Sequence, residues 1–368
     1  MTDRAKRLVD RLKSLVRRPP LTSSLIFECT QDCNLTCAYC YNVWNRDKDY
    51  PRGILSTDET KLLIAKALRQ SRTRHITFSG GEPYLRDDLM DVMAYCKFVG
   101  ARINMITNGT LLDRRTIEDT IARGVQMFEI QLPSADGETT TRLMGANAND
   151  DIVRALTHVK AAKGRVVAVI VCTKENVGTL AETYRLLFAL GVDGVMLNRM
   201  NPGGRGALNI DRLMPGPTEF ESALDITVEA MEKYKLAVSV SIPVMPCLID
   251  MKEKYPSIGT GFCAAGTERA YFTMDPLGNL RVCNHTSRIL GNLLDSSFGE
   301  LAARGRAFYE AKPTYCEACV RVDECLGGCK AAAEECYGEI TGMDPFLKAG
   351  ISEGRAVNPQ DVPTGGNG

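Results

Sequence analysis

From residue 21 onward, short runs rich in β-branched and aromatic residues alternate with amphipathic stretches of helical period. The runs are Leu25 to Cys29, His75 to Ser79, Ile103 to Thr107, Met127 to Leu132, Val166 to Thr173 and Val195 to Met200, and each has the length of a strand. Between them apolar residues recur at helical spacing near 57–70, 85–99, 111–123, 150–163, 178–190 and 218–234. Ser56…Glu59 and Thr218…Glu221 stand at capping-box spacing. Alternation of this kind predicts βα units and a parallel sheet. The expected fold class is α/β, a partial (β/α)6 TIM-like barrel. Six units fall short of the eight that close a full barrel, in which functional residues follow the C-terminal ends of strands.

Past residue 240 that rhythm stops and Cys, Gly and Pro become dense. One hairpin is legible there, Tyr271 to Met274 and Leu280 to Cys283 about a turn through Asp275-Pro-Leu-Gly-Asn279. A region this poor in apolar pattern needs staples, and bound metal would serve as one. Before residue 21, seven basic side chains against two acidic ones accompany Leu8, Leu12, Leu15 and Val16, ending at Pro19-Pro20. Residues 1–20 are expected to form a basic amphipathic helix, packed on the domain or docked on an acidic partner. The segment from Val357 onward is expected to be disordered.

Composition then narrows the function classes. With 44% hydrophobic residues the chain has ample material for a core, and 45 Lys+Arg balance 45 Asp+Glu. A zero net charge gives no general field for nucleic acid. No apolar run approaches the roughly 18 residues that span a bilayer, and no secretory signal pattern opens the chain. A cytoplasmic protein is expected, with neither nucleic acid nor membrane as partner.

Fourteen Cys in such a protein point to metal rather than disulfides. Directly after the first strand run comes Cys33-Asn-Leu-Thr-Cys37-Ala-Tyr-Cys40, three thiols on one loop. Soft thiolates so grouped suit zinc or iron–sulfur, and structural zinc takes four ligands where this loop offers three. The run CxxxCxxC, with Tyr39 before its last Cys, resembles the signature of the radical S-adenosylmethionine (radical SAM) enzymes. Later landmarks agree in order: Gly80-Gly81-Glu82-Pro83 after the second strand run, Ile106-Thr-Asn108-Gly109 after the third, Ser134-Ala-Asp136-Gly137 and Arg142-Leu-Met-Gly145 after the fourth.

That resemblance implies a 4Fe-4S cluster on Cys33, Cys37 and Cys40, whose free iron chelates S-adenosylmethionine. Reductive cleavage would then yield a 5′-deoxyadenosyl radical that abstracts hydrogen from an unactivated C–H bond. It also implies cofactor contacts from Tyr39, Gly80, Gly81, Glu82, Pro83, Asn108, Gln131, Ser134, Arg142 and Asn198. Local readings stand beside these: Gly80-Gly81 also suits a tight turn, Ser134 a helix cap. Asn198, Arg199 and Gly203-Gly204-Arg205-Gly206 look like the family's later cofactor- or substrate-facing loop, although a glycine run alone is a weak signal.

A second group of thiols, Cys263, Cys283, Cys316, Cys319, Cys325, Cys329 and Cys336, resembles the seven-cysteine SPASM extension of radical enzymes, which holds two auxiliary 4Fe-4S clusters. A zinc ribbon would leave Cys263 and Cys283 unexplained. By the resemblance Cys316, Cys319, Cys325 and Cys336 complete one cluster. Cys263, Cys283 and Cys329 hold the other, one ligand short, with Cys247 or an open iron in the fourth place. Cys29, Cys96 and Cys172 lie in apolar contexts and are expected as small buried hydrophobes. His285, beside Cys283, is a catalytic candidate, and a structural role suits it equally.

The expected organisation is a helix at 1–20, a radical SAM core at 21–235, a SPASM domain at 236–345 and a C-terminal tail, partly disordered, at 346–368. The function implied is that of a maturase acting on a ribosomally made precursor peptide, served by a separate small leader-recognition protein and by a reductant such as flavodoxin or ferredoxin. Small-molecule chemistry (tetrapyrrole decarboxylation or sugar oxidation) and a non-catalytic iron–sulfur electron carrier are the alternatives.

Overall fold

The computed structural model describes residues 19–355, so most of the expected N-terminal helix and the tail from Val357 lie outside the described residues. Six strands stand side by side in chain order and all parallel: β1 (Ser24–Glu28), β2 (His75–Ser79), β3 (Arg102–Thr107), β4 (Val125–Gln131), β5 (Val166–Cys172) and β6 (Gly194–Arg199). Each matches an expected run to within two residues. Helices at Thr57–Ser71, Leu89–Phe98, Arg114–Ala122, Asn149–Ala161 and Leu180–Ala189 make the crossovers. On β5 buried and half-buried residues alternate along the whole strand. Period two puts Val166, Ala168, Ile170 and Cys172 against the helices and Val167, Val169 and Val171 on the concave inner face. Cys29, Cys96 and Cys172 are fully buried, as expected.

The sheet runs on past the six strands at both edges. β7 (Val238–Val240) and β8 (Gly259–Thr260) follow β6 in parallel. At the other edge β9 (Tyr271–Met274) lies parallel to β1 and leads through the expected hairpin to β10 (Asn279–Arg281) and β11 (Gly291–Asn292). The buried Asp275 carboxylate shapes that turn, accepting from the N–H groups of Leu277 and Asn279, both at 2.9 Å. The cysteine-rich segment thus extends the sheet on each side, and β8 and β11 do not pair to close a ring.

Three local expectations change. A helix at Gly137–Met144, capped by the Asp136 carboxylate on Thr139 N–H at 2.8 Å, had no anticipated place. The last core helix starts at Pro217, and Glu219 accepts from Gly216 N–H at 2.9 Å. Proline fits the first helical position because its missing donor is not needed there. Thr218 and Glu221 turn outward instead, to Glu353 and to Lys254 and Arg355. The first residues of the expected tail, from 346, lie in the helix Pro345–Ser352, whose Phe346 is buried edge-on against Phe220, with ring centres 5.9 Å apart. No described helix is long and apolar enough to cross a membrane.

Candidate active site

The loop that leaves β1 carries Cys33, Cys37 and Cys40, and its backbone is clamped from three sides. From the end of β2, Gly81 N–H donates to Thr30 O and Glu82 N–H to Asp32 O, each at 2.8 Å. A Cβ at Gly80 would lie 2.4 Å from Thr30 O, and one at Gly81 only 1.9 Å from Asp32 O, so no side chain fits between the loops. From the 137–144 helix, Leu143 O accepts from Ala38 N–H at 2.8 Å. From beyond β6, Gly206 N–H donates to Cys40 O at 3.0 Å, and Gly204, at φ +47°, would place a Cβ 2.2 Å from Asn42 O. Arg205 reaches Cys37 O at 3.3 Å and Leu35 O at 3.4 Å. The glycine run that carried little information alone is a wall of the cysteine loop.

The three thiols share one cavity with Tyr39, Gly80, Gly81, Asn108 and Gln131. It adjoins a cavity of about 350 Å³ inside the sheet's concave face, whose lining includes Tyr39, Gln131, Asn198, Tyr271 and His285. Strand parity selects that lining: Glu129 and Gln131 from β4, Val169 and Val171 from β5, Met196 and Asn198 from β6, each pair two residues apart. Tyr39 Oη donates to Gln131 Oε1 at 3.2 Å, which ties the cysteine loop to the sheet floor. Asn198 Oδ1 accepts from Ser241 N–H and Oγ, both at 2.9 Å.

Four of the expected cofactor contacts line neither cavity. Glu82 is buried and accepts from Thr107 Oγ1 at 2.7 Å, Asn108 N–H at 2.9 Å and Tyr84 N–H at 3.3 Å. Burial outweighs those bonds and pushes its carboxyl up to about 7. Pro83 starts the short turn Pro83–Leu85. Ser134 Oγ donates to Thr179 Oγ1 at 2.8 Å and accepts from Asp136 N–H at 2.9 Å. Arg142 lies outside, 3.4 Å from the Glu175 carboxylate. Glu82, Pro83 and Ser134 shape the loops that follow β2 and β4.

A 4Fe-4S cluster with one open iron needs three thiolates and no fourth protein ligand, and this donor set fits. Burial and mutual repulsion hold the Cys37 thiol well above its ordinary range, and burial raises Cys33 and Cys40. Bare thiolates are therefore unfavourable here, whereas cationic metal would stabilise them. Asn45 Nδ2 donates to Cys40 Sγ at 3.3 Å, and the Arg205 guanidinium acts on all three thiols. Among the described residues no three His, Cys, Asp or Glu converge tightly enough for a single metal ion; cluster ligands stand wider, since the inorganic core lies between them.

The C-terminal thiols form two groups: one is the expected Cys263, Cys283 and Cys329, and in the other Cys247 stands where Cys336 was expected. Cys247, Cys316, Cys319 and Cys325 stand close enough for their ionised forms to repel, and so do Cys263, Cys283 and Cys329. Cys336 joins neither: its neighbours are Arg46, Asp344, Glu335 and Lys348. The helix Lys330–Tyr337 begins immediately after Cys329 and carries Cys336 to its far end, about 10 Å along the axis from Cys329.

His285 sits in the wall between the barrel cavity and the three-thiol group. Its ring packs against Tyr41 at a tilt of 34°, with centres 4.2 Å apart, and Nδ1 is 3.1 Å from Asn201 Nδ2. The amide donates there, so Nδ1 accepts and Nε2 carries the proton. Burial, with the Arg281 and Arg199 charges, holds the imidazole down to about 4, hence neutral. Asn201 Nδ2 also lies 3.3 Å from Cys329 Sγ. Sequence reasoning missed Tyr41, Asn45, Glu129 and Asn201. Only Glu129 had a signal, its place two residues before Gln131 on one strand face.

Residues 27–187 match the Radical SAM superfamily. Relatives over nearly the whole chain include the PqqA peptide cyclase of Granulibacter bethesdensis, 26% identical over 89% of this chain and 87% of that one. The mycofactocin maturase MftC of Mycobacterium tuberculosis is 27% identical over 99% of this chain and 91% of its own. Among solved structures, SuiB of Streptococcus suis bound to its precursor peptide SuiA superposes with a TM-score of 0.69 at 14% identity, over 93% of this chain and 79% of that one. Native anSMEcpe with bound AdoMet superposes at 0.66 and 16% identity, over 89% and 94%. At such identities the two structures speak for the fold.

Proposed function

We propose that this radical SAM enzyme is a peptide maturase that acts in the cytoplasm on a ribosomally made precursor. The observation that carries the reading is the continuity of the site: the three-thiol loop shares Tyr39 and Gln131 with a barrel cavity whose far wall, Asn284 and His285, adjoins a second thiol group. The names of the relatives, a peptide cyclase and a maturase, agree with it. When bound, the cluster and S-adenosylmethionine supply a radical able to take hydrogen from an unactivated carbon. Cys33, Cys37 and Cys40 hold that cluster. Gln131, Asn108 and Asn198 offer polar atoms to the cofactor, and Tyr39 offers a ring face.

The C-terminal thiols are proposed to hold two auxiliary 4Fe-4S clusters that accept an electron or bind substrate. Asn284 follows Cys283 and cannot take a proton near neutral pH. His285 and Glu129 are the imidazole and the carboxyl of the cavity lining, the groups suited to take or give a proton there. A small leader-recognition protein presents the precursor, and flavodoxin or ferredoxin reduces the first cluster.

The test is anaerobic co-expression with the short peptide encoded beside the gene, followed by mass spectrometry. A mass shift, with methionine and 5′-deoxyadenosine formed, is expected. An unaltered peptide under reducing conditions, with the cofactor cleaved, would exclude this substrate class. Replacing Cys33, Cys37 and Cys40 together by Ala should abolish cofactor cleavage and leave the C-terminal iron in place.

A further inference from the structure

We infer that Cys247, and not the last cysteine of the series, is the fourth ligand of the auxiliary cluster held by Cys316, Cys319 and Cys325. The inference rests on the proposed auxiliary clusters and assigns one of them its ligands. Three contacts fix the segment around Cys247 against the Cys316–Cys329 segment. A Cβ on Gly328 would meet Met245 Sδ at 2.7 Å, so the turn holding Cys247 lies directly on the turn after Cys325. Asp250 accepts from Arg321 at 2.6 Å, and Glu324 from Lys252 at 2.6 Å. Between these anchors Cys247 stands beside Cys316, Cys319 and Cys325.

Cys336 has different surroundings. It lines a groove of about 890 Å³ with Arg46, Lys174 and Lys348, in which it is the single thiol. Spacing explains both facts. The Cys329–Cys336 interval is one short helix that carries Cys336 away from Cys329 and into the groove, whereas Cys247 arrives from the β7 edge by a separate path. Four thiols then serve one cluster, while Cys263, Cys283 and Cys329 stay a set of three beside the barrel cavity.

The test uses full-length enzyme, purified anaerobically after cluster reconstitution. Parent protein should carry about twelve irons, four for each cluster. Cys247→Ala should lose about four of them or convert one cluster to a three-iron form with its own electron paramagnetic signal. Cys336→Ala should keep all twelve. Cys247→Ser, which supplies oxygen in place of sulfur, should retain iron with a shifted signal, an effect that a purely packing cysteine would not produce. Alkylation of the native holoenzyme should label Cys336 and spare Cys247. Iron loss on replacing Cys336, unchanged iron and spectrum on replacing Cys247, or the reverse labelling would overturn the inference while leaving the auxiliary clusters standing. A parent protein with only about four irons would remove the auxiliary clusters themselves.

Discussion

Replacing Gly81 by Ala tests the claim that the glycines after β2 exist to let two backbones touch. The added carbon would sit 1.9 Å from Asp32 O and 2.5 Å from Asp32 C, where real contacts do not fall below 3.0 Å. The loops must part by about 1.1 Å, the difference between 3.0 and 1.9 Å. That separation stretches Gly81 N–H to Thr30 O and Glu82 N–H to Asp32 O, both 2.8 Å in the native loop, beyond bonding range. Two backbone hydrogen bonds at about 1 kcal/mol each, with strain of about 1–3 kcal/mol, give a cost of about 3–5 kcal/mol, concentrated on the cysteine loop. Gly178→Ala is the control: it has nothing within 4 Å, lacks a positive φ and should change stability by less than about 0.5 kcal/mol. Iron content and the electron paramagnetic spectrum of reduced protein are the readouts. Gly81→Ala should lose the N-terminal cluster and keep the C-terminal iron. If it instead keeps a full complement of iron and fails only to bind S-adenosylmethionine, the glycine serves cofactor approach and the packing argument is refuted.

Further outcomes are expected at charged side chains around the thiol groups. Asp344→Asn removes the partner of fully buried Arg199, at 2.6 Å, and weakens the cap on Cys329 N–H, at 2.7 Å; a loss of about 3–5 kcal/mol in denaturant unfolding is expected, and an unmoved midpoint would contradict it. Arg205→Gln removes a cation beside the three N-terminal thiols, which should lower the cluster's reduction potential by tens of millivolts, on the order that Coulomb attraction at this range supplies. An unchanged potential in a spectroscopic titration would show that the guanidinium acts through its carbonyl contacts alone.

Glu129 provides a pH dependence. Burial pushes its carboxyl from 4.5 up to about 6, so the fold disfavours the ionised form. Its contribution to stability is present below 4.5 and is lost as pH rises through about 6, by about 2 kcal/mol in all. Glu129→Gln should therefore gain on the parent by about 1–2 kcal/mol between pH 5 and pH 8. A constant offset across that interval would show that Glu129 does not titrate there.

Six parallel strands and the CxxxCxxC loop were legible because both are local. Hydrophobic period sets strand and helix, and three thiols within eight residues are neighbours in any fold. Gly80-Gly81 and Arg142-x-x-Gly145 could be recognised as landmarks, but the backbone contacts that demand the glycines join segments far apart in the chain. The same limit applies to the extra strands: β9 is four residues long and gains its place by pairing with β1, some 250 residues earlier. Cys247 and Cys336 mark the boundary most sharply. The resemblance implied the later cysteine, whereas the fold brings the earlier one beside Cys316, Cys319 and Cys325, because a turn packed from another edge of the sheet can bring a distant sulfur within reach. Sequence by itself determined the chemistry available, thiolates for iron and a strand face for the cofactor; folding decided which thiols meet, since that depends on long-range packing that no local pattern encodes.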